Sequence, residues 1–215
     1  MKAVGGLVSM RTGEGGAPSP YELNVTWWSA LNDAEADGPL DRKVDRFVAS
    51  RAIALSLRGV PGIYLPSFFG ARNDHEAVKR DGQARSINRS AMREEWLFDQ
   101  FSAPSSIPSR TASRFIDLLG RRAAEPAFHP AAGQRVLRLD PRLFALVRTP
   151  RAGGAPVVVV VDVSGTEVEA TLRLGDAGLA ATELVDLVSG RTFASDGGVV
   201  PLRLRPYQLL WLRPR

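Results

Sequence analysis

VPGIYLPSFFG, residues 60–70, is the stretch on which the fold turns. It is short, almost wholly apolar, and rich in β-branched and aromatic residues. A strand buried on both faces of a parallel sheet requires that composition. Just before it, Gly38-Pro39 puts proline where a helix can start. Leu40, Val44, Phe47, Val48, Arg51, Ala52 and Leu55 then recur at three- and four-residue steps up to Gly59, which predicts an amphipathic helix. Helix, tight turn and buried strand make half of a βα repeat. Residues 71–90 show no apolar periodicity and many Arg, Asn and Asp residues, so they read as a long loop after the strand. Two further helices are predicted at about 91–102 and 107–123, separated by SAPSSIP.

Upstream, residues 1–38 read mostly as loop, broken by the aromatic-rich YELNVTWWSAL at 21–31, as a chain looks when it begins mid-domain. Downstream, from about Gln134, the period becomes two or the apolar runs become continuous. RVLRLD, LFALVR, APVVVVVDVSG, VEATLRL, ATELVDLVSG, VVPLRLR and YQLLWLR follow one another, punctuated by Gly, Pro, Asp and Ser. That rhythm predicts an antiparallel sandwich. The expected division falls near 124–133, giving a segment 1–125 and a β-domain 126–215. No internal repeat is found, and low complexity is confined to the loop at 12–20.

The 215 residues, 44% hydrophobic and 24% charged, suit a soluble globular protein with a sizeable core. Without cysteine there is no disulfide and no thiolate metal site, and two histidines, His75 and His129, are too few and too far apart for a histidine-rich one. Neither a metal nor a cofactor is expected. The net charge of +5 raises the question of a nucleic-acid partner. Yet lysine occurs only at Lys2, Lys43 and Lys79, arginine supplying the rest, and the densest stretch, Arg72–Arg93, also carries Asp74, Glu76 and Asp81 with no interleaved aromatic residue. Neither nucleic acid nor membrane is expected as a partner, since no apolar run approaches the roughly 18 residues of a span. A reducing cytoplasm is the expected location.

The order of elements, a final helix and strand, a loop, helices and then a small β-domain, resembles the end of a (β/α)8 barrel of the α-amylase superfamily. The string AIALSLRGVPGIYLPSFFGARND (52–74) resembles its last helix, strand and loop. SPYELN (19–24), ARSINR (84–89), AFHP, LFALVR, DLVSGR and PYQLLWL resemble the sucrose-phosphorylase-like enzymes of glycoside hydrolase family 13 in particular. The resemblance implies an α/β remnant of a TIM barrel followed by an all-β antiparallel domain. It also implies a retaining transfer of α-glucose to phosphate through an Asp nucleophile and a Glu acid/base, about 5 Å apart. In such enzymes these two residues and a third, sugar-clamping Asp precede the region that this chain resembles, so all three would be absent from it. The implied partners are a sugar α-glucoside, inorganic phosphate and the missing N-terminal barrel part.

On the same resemblance, Arg85 matches the arginine that holds the glucose unit, where a guanidinium fork can bind two oxygens at once. Tyr21 and Glu22 match the loop lining the acceptor and phosphate side. YELN is closer to members acting on phosphorylated or acidic acceptors, such as sucrose 6'-phosphate or glucosylglycerate. Each residue also has a plainer reading: Arg85 and Arg89 as arginines satisfying loop carbonyls, Glu22 as a solvated acid, Asn73-Asp74 as turn chemistry, Trp27 and Trp28 as packing. Two functions therefore stand side by side at this level. One is a piece of a glucosyl-transferring phosphorylase, inactive without its carboxylates. The other is a non-catalytic module binding carbohydrate or protein.

Overall fold

A computed structural model describes residues 1–13, 15–32 and 38–215. In chain order the elements are β1 (Leu7–Thr12), β2 (Pro18–Asn24), α1 (Trp27–Leu31), α2 (Leu40–Ser56), α3 (Leu65–Phe68), α4 (His75–Asp81), α5 (Glu94–Ser102) and α6 (Ile107–Ala124). Then follow β3 (Gly133–Leu137), β4 (Leu143–Thr149), β5 (Val157–Asp162), β6 (Val168–Arg173), α7 (Leu174–Ala177), β7 (Glu183–Asp186), β8 (Thr192–Ala194), β9 (Val199–Leu204) and β10 (Leu209–Pro214). The chain divides into two compact units, residues 1–47 with 63–113, and residues 48–62 with 114–215.

In the second unit, β3-β4-β5-β10-β7-β8 form a six-stranded antiparallel sheet and β6-β9 a two-stranded one. The two layers share one core. Val158, Val160, Leu210 and Leu212 of the larger sheet lie in the same cluster as Val168, Leu172, Val200, Leu202 and Leu204 of the smaller. The opposite face of the larger sheet is also covered, with Leu146, Val159 and Trp211 buried and Trp211 packed 4.5 Å from the Phe128 ring. Burial on both faces explains why Val157–Val161 is a continuous valine run rather than an alternating one. This is the sandwich expected from Gln134 onward.

The C-terminal end of α2 belongs to this unit and is capped by two arginines. Arg122 donates to the carbonyls of Leu55 at 2.8 Å and Gly59 at 3.0 Å, and the buried Arg148 donates to that of Ser56 at 2.8 Å. Cationic donors at the last carbonyls satisfy both the orphan acceptors and the helix dipole. Burial draws both guanidiniums below their usual value. The helix predicted to follow Gly38-Pro39 is present, and Val44, Phe47, Val48, Ala52 and Leu55 are buried as its periodicity requires.

Three expectations change. The strand at 60–70 does not form: residues 60–64 make no ladder among the described residues, and Leu65–Phe68 coil into α3. Pro61 and Pro66 bring no N–H to a ladder, and a buried parallel strand needs a neighbour on each side. The side chains are correspondingly exposed, Val60 at 81% and Leu65 at 60%. Second, residues 1–32 are not mostly loop, because β1 and β2 form an antiparallel hairpin and Thr26 N-caps α1. The remainder of that expected loop, 33–37, and Glu14 of the loop at 12–20, lie outside the described residues. Third, 71–90 is no open loop: Asp74 N-caps α4 by accepting from the Ala77 N–H at 2.8 Å, and Ala84–Asn88 make a 3-10 turn. Polar capping residues build short helices without apolar periodicity.

Candidate functional site

The three site residues expected from the sequence meet in the first unit. Tyr21 and Glu22 lie on β2 and Arg85 in the 3-10 turn, 63 residues away from Glu22. The hairpin register runs Ser9 to Glu22 and then Met10 to Pro20, so a bulge leaves Tyr21 without a cross-strand partner. Such bulges re-aim a side chain and twist the strand that carries it. Tyr21 is 57% exposed, and the Arg11 guanidinium lies 5.9 Å from its ring centroid.

Arg85 Nε donates to Glu22 Oε2 at 2.8 Å. Both side chains remain partly open to solvent, and the hydrogen bond from Arg85 to Glu22, followed by the charge attraction between them, raises the guanidinium above its usual value. Tyr21 adds to the same effect. Glu22 takes only the Nε–H of the five donors on the guanidinium, so the planar fork of the Nη groups is not spent on that ion pair.

The turn bearing Arg85 is anchored from several sides. Ile87 is fully buried and its carbonyl accepts from the Asp74 N–H at 2.9 Å. Ser86 Oγ donates to Asp81 Oδ2 at 2.9 Å, and Tyr64 Oη donates to the Asn88 carbonyl at 2.9 Å. The Asp81 carboxyl is drawn below its usual range, first by the Ser86 hydroxyl and then by Arg80.

Asn73 fastens the segment before α4 to α1 and to the backbone at Val4 and Gly5. Its Oδ1 accepts from the Thr26 N–H at 2.8 Å and the Thr26 hydroxyl at 3.2 Å; its Nδ2 donates to the Val4 and Gly5 carbonyls at 3.0 and 3.1 Å; its own N–H donates to Ser29 Oγ at 3.1 Å. Asn73 and Asp74 thus have the turn role that their residue types suggest. Trp28 is buried against Phe47, with ring centroids 5.5 Å apart, whereas Trp27 is 46% exposed. His129 Nδ1 accepts from the Ala131 N–H. Among the described residues no three His, Cys, Asp or Glu side chains gather as a metal site would require.

Sequence reading missed Arg11 and the bulge. Their signal was available: LVSMRT and PSPYELN alternate on either side of a Gly-rich turn, the pattern of a hairpin.

The chain is 33% identical to the glucosylglycerate phosphorylase of Spirochaeta thermophila across its whole length, and 27% identical over 97% of it to that of Escherichia coli. The chain is similar to part of the glucosylglycerate and sucrose 6(F)-phosphate phosphorylases. The phosphorylase-like chain spans only 37% and 35% of the length of those two relatives. Its fold matches an α-amylase from Anoxybacillus at a TM-score of 0.63 and 17% identity, over 89% of this chain and 36% of that one. It also matches the sucrose 6F-phosphate phosphorylase from Thermoanaerobacter thermosaccharolyticum at 0.57 and 18%, over 94% and 34%. No family model matches the sequence. No described helix is long and apolar enough to cross a membrane.

Proposed function

We propose that this chain is the C-terminal portion of a retaining α-glucosyl phosphorylase, with residues 1–125 completing a catalytic barrel and 126–215 forming its β-domain. In this reading Arg85 holds the glucose unit, Tyr21 and Glu22 line the side where phosphate and acceptor enter, and the nucleophile and acid/base are supplied by polypeptide outside this chain. The observation that carries it is the Glu22–Arg85 ion pair beside Tyr21. Residues far apart in sequence converge on an open face, and Glu22 engages only the Nε–H of the guanidinium. A guanidinium fork can bind two sugar hydroxyls, and the neighbouring carboxylate can favour or repel an acceptor according to its charge. Glucosylglycerate is the proposed substrate, because the relatives matched over the whole or nearly the whole of this chain are phosphorylases of that compound. The cytoplasm is the proposed location, to be checked by fractionating the source cells.

The test joins this chain to the upstream two thirds of the Spirochaeta thermophila relative and measures glucose 1-phosphate released from glucosylglycerate and phosphate. The chimera should turn over while the isolated chain should not. Arg85→Ala should lower kcat/KM roughly ten- to a hundredfold for every acceptor, the loss expected for a charged contact to a bound hydroxyl. Glu22→Gln should mainly change the ranking of glycerate against fructose. Turnover by the isolated chain, or an Arg85→Ala effect confined to one acceptor, would overturn the assignment, and a folded chimera that never turns over would favour a non-catalytic sugar- or protein-binding module instead.

A further inference from the structure

A second group of unspent cations lies in the first unit, on residues to which the proposed phosphorylase reading gives no role. Arg72, Ser90, Met92, Arg93 and Trp96, with Ala71 and Ala91, line an open groove of about 360 Å³. That volume is within the range of small-ligand sites. Trp96 is 43% exposed, and its position at the groove leaves indole surface for a ligand. Both arginines are exposed, and neither guanidinium forms an ion pair or a side-chain hydrogen bond among the described residues. By contrast, Arg80 pairs with Asp81, Arg85 with Glu22 and Arg110 with Asp41 in the same unit.

The nearby acids do not neutralise the pair. Glu94 and Glu95 occupy the first turn of α5, where carboxylates are favoured by the helix dipole. Neither makes an ion pair with Arg72 or Arg93 among the described residues. The groove therefore combines two uncompensated guanidiniums, one hydroxyl and an indole with a methionine beside it.

From this combination we propose that the groove is a binding site for a phosphorylated sugar. A phosphate monoester carries close to two negative charges at neutral pH, matching two guanidiniums, which a single carboxylate would not. The aliphatic C–H face of a sugar ring suits an exposed indole, while Ser90 can bond a ring hydroxyl. The site is distinct from the Glu22–Arg85 pair and does not depend on the phosphorylase reading.

Isothermal titration of the full 215-residue chain with glucose 6-phosphate, inorganic phosphate and glucose tests it. Saturable binding is expected for glucose 6-phosphate, weaker binding for phosphate and none for glucose. Arg72→Gln with Arg93→Gln should weaken glucose 6-phosphate at least about tenfold, as expected for losing charged hydrogen bonds. Trp96→Ala should weaken it while leaving inorganic phosphate within about twofold, since stacking acts on the sugar alone. These side chains are exposed, and matching circular-dichroism spectra and melting temperatures confirm that each variant folds. Absence of saturable binding, equal affinity for glucose 6-phosphate and bare phosphate, or indifference to the arginine substitutions overturns the proposal. So does loss of binding in Arg85→Ala, which would put the ligand at the other site. Because the chimera experiment reads turnover and this one reads binding, the two ideas fail separately.

Discussion

Two apolar runs of this chain look alike on paper and end differently. Val157–Val161 is buried at every residue, flanked by β4 on one side and β10 on the other, with Leu146 and Trp211 opposite Val159. VPGIY at 60–64 has comparable hydrophobicity but no ladder among the described residues, and Val60, Ile63 and Tyr64 are exposed. The difference teaches that an apolar run supplies demand for burial, not burial itself. A strand forms where neighbours exist to satisfy its N–H and C=O groups, and β5 has two of them within its own domain.

Placing one charge in each run breaks or confirms this contrast most sharply. Val159→Asp buries a carboxylate without a partner, which costs several kcal/mol and is expected to abolish cooperative folding of the second unit. Val60→Asp should change stability by less than about 0.5 kcal/mol, like other substitutions at exposed positions. Urea unfolding followed by far-UV circular dichroism reads both. A large loss in Val60→Asp would mean that residues 60–64 are buried in solution, and the comparison would collapse.

Polar fasteners give the next contrast. Asp186 is buried and accepts from the N–H groups of Val188, Ser189 and Trp211 and from the Ser189 hydroxyl, tying the β7–β8 turn to β10. Asn73 does the corresponding work in the first unit with Thr26, Ser29, Val4 and Gly5. Asp186→Ala orphans buried donors inside a closed core and should cost about 3 kcal/mol, whereas Asn73→Ala, whose partners are nearer water, should cost about 2 kcal/mol. Hydrogen exchange at Trp211 and Thr26 localises each effect. If Asn73→Ala proves the costlier, the first unit is the more tightly determined of the two.

The same distinction explains what could be read from the sequence. The β-domain was legible because its strands pair with one another, so that period-two and continuous apolar patterns translate directly into β3 to β10. Helix α2 was legible because its face is filled from Val44 to Leu55. Residues 60–70 were misread as a strand because their pattern describes an environment that no described neighbour provides. The hairpin was missed because its alternation is short and its apolar members, Val8, Met10, Tyr21 and Leu23, stay exposed. At the candidate site, residue identities were legible through resemblance, but the Glu22–Arg85 bond was not. Nothing local to either residue announces a partner 63 positions away.

The smallest expected effect lies in two turn acids, one from each region. Asp140, before β4, is held down to about 2 from the usual 3.8, first by the side-chain hydrogen bond from Arg142 and then by the Arg142 backbone N–H. A carboxyl whose folded value lies below its unfolded one contributes stability that is present above the unfolded value and fades as pH falls through the folded one. For Asp140 the window runs from about pH 4 down to about pH 2. Because the pair is solvent-exposed, its contribution is small and screened by salt. Carbon-13 titration of the carboxyl measures the shift itself. Arg142→Ala should move Asp140 upward toward 3.8 without reaching it, since the residue-142 N–H still donates. Ser86→Ala should raise Asp81 in the first unit, because the Ser86 hydroxyl is the principal cause of its lowering. An Asp140 that stays near 2 in Arg142→Ala would assign the effect to the turn backbone alone. An Asp81 that does not move in Ser86→Ala would show that the turn carrying Arg85 is not held by that hydroxyl, leaving Ile87 and Asp74 to position the arginine.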